Sequence, residues 1–277
     1  MRRLSVCLAV FVLALTAALP LRAGQGAAVI EALRLGEVVA IMRAEGVAHG
    51  AEVGETMLGQ RGRSPAWMAT VDGIHAEGRM MTLLKGGLDD ALPGDDAALD
   101  AALDFFATDL GARILTLEIT ARSAMLEPAV DEAAREGWEE LDAEDGPRAA
   151  RLRQLAEAGD LIEDNVAGGL NSTFAFYRGL MDSGASEFDM GLQEMLADVR
   201  GQEAEIRAEI ESWLFGYLAL AYGPLTDAEL DAYIALFETQ GGQQLNAALF
   251  RAFNAMFETL SHELGRAAGQ MMLGEDL

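Results

Sequence analysis

Few residues of this sequence could bind a metal or move a proton, and their spacing argues against the familiar arrangements. Three histidines, His49, His75 and His262, include no two that stand three or four residues apart, the spacing that sets two ligands on one helix face. "HELGR", from His262, begins like the zinc-protease helix but has Arg266 where the second histidine belongs. "LDDALPGDDAALD", residues 88 to 100, is rich in carboxylates yet lacks the alternate oxygens, central glycine and closing glutamate of a calcium loop. "DSGAS" at 182 lacks the spacing of a nucleophile elbow. "NST" at 171 is a glycosylation triplet of a kind that arises easily by chance. No catalytic, cofactor-binding or metal-ligating residue is assigned from these patterns, and no cofactor is expected. Asp96 and Asp227 leave one enzymatic alternative, a carboxylate-dependent hydrolase.

Two stretches with glycine, "FATDLGARI" at 106 to 114 and "FETQGGQQL" at 237 to 245, invite a phosphate-binding reading. Thr108 and Thr239 are placed to cap a helix whose third position is Gly111 or Gly242, and a helix start attracts anions. No lysine or arginine accompanies the second pair of glycines, and the surroundings are acidic. The spacing therefore predicts tight corners between consecutive helices. Glycine there costs about 1 kcal/mol of helix propensity, tolerable where two backbones must approach closely.

These corners belong to a longer correspondence. "DAALDAALDFFATDLG" from Asp96 and "DAELDAYIALFETQGG" from Asp227 lie 131 residues apart and share eight of sixteen positions. Pro93 matches Pro224 upstream, and Ala121, Ala124 and Met125 match Ala252, Ala255 and Met256 downstream. The pattern predicts two copies of one helical unit. In the second copy, Thr226 and Glu229 form a capping box and Leu225 and Leu230 a hydrophobic staple, so a helix starts at Asp227. The first copy has Asp95 and Ala98 at the box positions, and its helix should start less firmly capped. After the second corner, Leu245, Leu249, Phe253, Met256, Leu260, Leu264, Ala267 and Met271 trace one face of a helix of about seven turns. On its other face Glu258, His262 and Arg266 follow at i+4 steps, worth a few tenths of a kcal/mol per pair.

The equivalent first-copy stripe, Ile114, Leu117, Ala121 and Met125, should stop at Pro128. "VRGQEAEIRAEIESWLFGYLALAY", from Val199, predicts one amphipathic helix carrying Ile206, Ile210, Trp213, Tyr217 and Ala221. "AGDLIEDNVAGGL" echoes "LGEVVAIMRAEGV" weakly and out of step with the 131-residue offset. Gly146-Pro147 marks the boundary between units. With no period-two alternation anywhere, the expected fold is all-α: antiparallel helices in two related units, 24–146 and 147–277, after a signal peptide at 1–23.

That peptide is read from Arg2 and Arg3, an apolar run from Leu4 to Leu19, Pro20 and the small residue Ala23. Cleavage after Ala23 removes Cys7, the only cysteine, and three of the 20 basic residues, leaving 17 against 45 acidic ones and a formal charge of −28. Disulfides and cysteine metal sites are thereby excluded from the mature chain. A strongly negative chain repels nucleic acid and anionic membranes. The later segment closest to membrane length, "WLFGYLALAY" at 213 to 222, is ten residues long and reads as a buried helix end, so no transmembrane segment is expected in the mature chain. Met68, Met80, Met81, Met181, Met190, Met195, Met256, Met271 and Met272 serve as core or, with Phe174, Phe176, Trp213 and Phe215, could line an apolar cavity.

"LTDAELDAYIALFETQGGQQL" resembles the carboxy-terminal motif of the bacterial domain-of-unknown-function family numbered 2059, small exported helical proteins. The likeness covers residues 219 to 270 and rests on Thr226, Glu229, Leu230, Phe237, Thr239 and Gly242. Gln240 and Gln244 stand where that family usually carries proline and lysine. The resemblance implies a periplasmic location and a helical fold, and no activity. The expectation is a periplasmic, non-enzymatic binding or envelope-associated module whose partner is an unknown protein or an apolar ligand, the alternatives being a lipid carrier with a Met-rich cavity and the hydrolase.

Overall fold

The computed structural model describes residues 24–92, 94, 96–184 and 191–274. The expected signal peptide, Pro93, Asp95 and Met190 lie outside the described residues. Among these the chain is all-α, with no strand. Its helices are α1 (Gln25–Ala32), α2 (Leu35–Val53), α3 (Pro65–Ile74), α4 (Glu77–Ala91), α5 (Ala97–Phe106), α6 (Asp109–Ala124), α7 (Pro128–Ala143), α8 (Pro147–Ala158), α9 (Leu161–Asp182), α10 (Leu192–Gly201), α11 (Glu203–Tyr222), α12 (Asp227–Glu238) and α13 (Gln240–Leu273). Pro65, Pro128 and Pro147 each occupy the first position of a helix, where the missing amide hydrogen costs nothing.

Both threonine elbows are helix corners. The Thr108 hydroxyl accepts from the Gly111 amide at 3.1 Å and Thr239 from the Gly242 amide at 3.0 Å. Each hydroxyl also donates back to the preceding helix, to the Phe105 carbonyl at 2.6 Å and the Leu236 carbonyl at 2.7 Å. A Cβ on Gly111 would lie 2.2 Å from the Phe105 carbonyl oxygen, and one on Gly242 2.0 Å from that of Leu236. Close backbone approach is thus what the glycines permit. Upstream, Thr226 and Glu229 make the reciprocal capping box. α5 is capped more simply, by Asp96 accepting from the Ala98 amide at 2.8 Å. Gln244, at the position where the resembled family carries lysine, donates to the other Asp96 oxygen at 3.1 Å.

Among the described residues six helices, α1 to α6, precede α7 and six, α8 to α13, follow it. The weakly echoing segments fall on corners of like conformation: α1 turns into α2 through Arg34 (φ 53°), and α8 into α9 through Asp160 (φ 50°), both left-handed. One continuous core joins the halves, drawing Leu84, Leu99 and Ile114 together with Leu218, Leu230 and Leu260. α13, 34 residues and about 50 Å long, is its centre and runs beside α9 in the same direction. The Asn246 amide donates to the Gly159 carbonyl, Gly168 faces Asn254, and Gly269 faces Ser183. Near the far end the backbones almost touch: a Cβ on Gly179 would sit 1.9 Å from the His262 carbonyl oxygen, and one on Gly265 2.1 Å from that of Phe176.

Three expectations need correction. α13 is longer than seven turns because nothing before Gly274, in left-handed conformation, interrupts it. The single helix expected from Val199 to Tyr222 breaks at Gln202, after Gly201, where the Gln202 side chain bonds Asp198 at 2.8 Å and the Tyr177 hydroxyl at 3.1 Å. His262 leaves its helical neighbours and pairs across the seam with Asp182 at 2.8 Å.

Gly242→Ala should lower the unfolding free energy in urea, because overpacking of about 1–3 kcal/mol outweighs about 1 kcal/mol of propensity gained. Gly86→Ala, in a helix with nothing within 4 Å of the added carbon, should raise it by up to about 1 kcal/mol.

Candidate functional site

A cavity of about 530 Å³ lies among α2, α6, α9, α11, α12 and α13. Every residue lining it is buried or half-buried. Its apolar wall comes mainly from α13, with Leu249, Phe250, Phe253 and Phe257, and from Phe237 at the end of α12. This explains why Leu249 and Phe253, members of the expected core stripe, are less buried than Leu245 and Met256 beside them: they face the cavity. Among the described residues Met42 is the one methionine in the lining, so the Met-rich lining considered from sequence gives way to phenylalanine. Met80, Met195, Met256 and Met271 are buried in packing, and Met181 is exposed.

The facing wall is polar. α6 contributes Glu118 and Arg122, one turn apart, and α11 contributes Tyr217. Tyr222 and Tyr233 both donate their hydroxyls to Glu118 Oε1, at 2.7 and 2.8 Å. The Tyr233 ring is fixed by Phe105, stacked at 6.0 Å, and by Phe237, edge-on at 5.2 Å, so its hydroxyl is aimed by packing. Among the described residues, neither Glu118 Oε2 nor the Tyr217 hydroxyl has a hydrogen-bond partner. Burial drives the Glu118 carboxyl above its ordinary value, and the two tyrosine hydrogen bonds offset this only in part. Burial, with the field of Glu118, pushes the Tyr217, Tyr222 and Tyr233 phenols well up, so all three keep their protons.

Arg122 turns away from Glu118. It grips both oxygens of Glu45, at 3.1 and 2.8 Å, and lies over the Trp213 ring at 5.5 Å. Glu45 borders a second cavity of about 200 Å³ with His49, His75 and Ser261, and Met42 and Phe257 line both spaces. His75 is buried, its Nδ1 3.0 Å from the Val71 carbonyl, which sets the ring proton on that nitrogen. Desolvation pulls its pKa down. His49 is exposed. Among the described residues no group of three histidine, cysteine or carboxylate side chains could hold a metal ion.

The other sequence candidates are engaged structurally. Asp96 is a helix cap, and Asp227 pairs with Arg148 at 3.2 Å and Arg151 at 3.1 Å. Glu118 went unnoticed in the sequence, although the 131-residue offset contains it. Leu115, Glu118, Ile119 and Arg122 of α6 stand at the positions of Asn246, Leu249, Phe250 and Phe253 of α13, and all eight line the cavity. A charged pair on α6 against leucine and phenylalanine 131 residues later on α13 was the available signal. Compared with known proteins, the chain matches no family model, no curated sequence and no solved structure.

With its pKa raised above the ordinary 4.5, Glu118 in the folded chain still holds its proton over a pH interval in which the unfolded chain has released it. The stability this contributes is complete below that value and declines as pH rises through the native pKa. Urea unfolding from pH 4.5 upward should therefore show wild type losing stability relative to Glu118→Gln as pH rises. A difference independent of pH would contradict a buried carboxyl.

Proposed function

We propose that this chain is an exported, non-enzymatic binding protein whose cavity takes one small ligand with a substantial apolar part. The observation that carries the reading is the phenylalanine-lined space of about 530 Å³, within the range of roughly 300 to 1,000 Å³ typical of small-molecule sites. Its lining is apolar with a few convergent polar groups, the composition that buries a ligand and fixes its orientation. Export rests on the amino-terminal pattern and on the resemblance of residues 219 to 270 to exported helical proteins. No helix among the described residues is long and apolar enough to cross a membrane. The matched corners and the equivalent positions in the lining support the further reading that the cavity lies between two copies of a duplicated unit. The hydrolase alternative finds no favouring geometry, since Asp96 and Asp227 are held as a cap and in ion pairs.

Protein purified without detergent should brighten the uncharged apolar probe N-phenylnaphthylamine with one-to-one stoichiometry. Leu249→Trp, which adds bulk to the cavity wall, should abolish the brightening while the helical circular-dichroism signal is unchanged. Absence of probe binding, together with a native mass spectrum free of any retained small molecule, would remove the support for a ligand cavity.

A further inference from the structure

The cavity has two chemically different walls at equivalent positions of two helices. On α13, Leu249 and Phe253 offer only hydrocarbon, whereas their counterparts on α6 are Glu118 and Arg122. An occupant that is apolar throughout would leave the α6 wall facing hydrocarbon, which costs free energy for every polar group stripped of water without a partner. An amphiphile satisfies both walls, its tail along α13 and its head against α6.

The nature of the head follows from which polar atoms are committed. Among the described residues Arg122 is the only cation in the lining, and its charge is matched by both oxygens of Glu45. Glu118 Oε1 is occupied by Tyr222 and Tyr233, while its Oε2 has no partner among the described residues. The Tyr217 hydroxyl is likewise uncommitted and lies in the field of the same carboxyl. Of the ionisable groups in the lining, those left to a ligand are thus a carboxyl oxygen and a phenol, beside a neutralised guanidinium; Ser172 and Asn254 add neutral polar groups on the α9 and α13 side. A carboxylate oxygen accepts from an ammonium in a charge-assisted bond roughly twice as strong as a neutral one. An incoming carboxylate would meet like charge, or would require one of the two groups to stay protonated.

Resting on the ligand-cavity reading above, we propose that Glu118 and Tyr217 form a head-group subsite, and that the cavity selects amphiphiles with a cationic, hydrogen-bond-donating head over those with an anionic one. A long-chain amine is the simplest such ligand. Glu118 accepts from the ammonium through Oε2, and Tyr217 supplies its hydroxyl oxygen as a second acceptor. The proton that Glu118 gives up on pairing passes to solvent.

The test is isothermal titration of the full chain at neutral pH with dodecylamine, dodecanol and lauric acid, each below its aggregation concentration. Dodecylamine should bind at least about tenfold more tightly than lauric acid, the step expected of one charge-assisted contact. Glu118→Gln should cancel most of that preference while altering dodecanol affinity little. Tyr217→Phe, which keeps the ring and removes only the hydroxyl, should weaken the amine several-fold and gives an independent reading should the glutamine variant fold poorly. Equal or tighter binding of lauric acid by wild type would overturn the head-group assignment and leave the cavity reading intact, as would a preference unchanged in both variants. Failure of all three ligands to bind would defeat the cavity reading itself, and the subsite with it.

Discussion

The close approach of α9 and α13 is the constraint on which the remaining architecture depends. Where Gly179 and Gly265 bring the two backbones together, no side chain separates them, so the pair acts as one stiff double rod along the molecule. Both helices then present residues to the same cavity, α9 through Asn165, Gly168 and Ser172 and α13 through the segment from Leu245 to Phe257. Because α13 also packs against α3, α4 and α5, the second half of the chain is clasped by the first. Loss of either glycine would separate the rods and distort the cavity wall they share.

Against this stiff pair, the opposite wall is held by hydrogen bonds. The tyrosine hydroxyls from α11 and α12 converge on one carboxyl of α6 and tie three helices together at a single buried point. Such a network is worth its cost only when its members are satisfied, and here one oxygen of the carboxyl is left over beside the cavity. A half-committed carboxyl bordering an apolar space is an uncommon expense for a group with only a structural role, since a buried glutamine or leucine would hold the fold at lower electrostatic cost.

Much of the fold was legible because its signals are local. Thr226 with Glu229, Thr239 with Gly242, and Pro128 and Pro147 act within a few residues of where they stand, so helix starts and corners could be placed from sequence. The break at Gln202 was not legible, since it depends on bonds to Asp198 and to the Tyr177 hydroxyl of another helix. The cavity was legible only in outline. Leu249 and Phe253 carry the period of core residues, and periodicity cannot say whether a helix face meets another helix or an open space. Glu118 was hidden for a related reason: a lone glutamate beside an apolar stripe reads as solvated until tyrosines more than 100 residues away are brought onto it.

The partition between the two internal spaces has a further consequence. Met42 and Phe257 line both, so their side chains stand at the boundary. A divider made of a thioether and a phenyl ring yields by torsional rotation at the cost of a rotamer change, without unfolding a turn. Rotation of those two side chains, beside the Arg122–Glu45 pair that spans the same boundary, would lengthen the space open to an occupant, an adjustable depth gauge in place of a fixed floor.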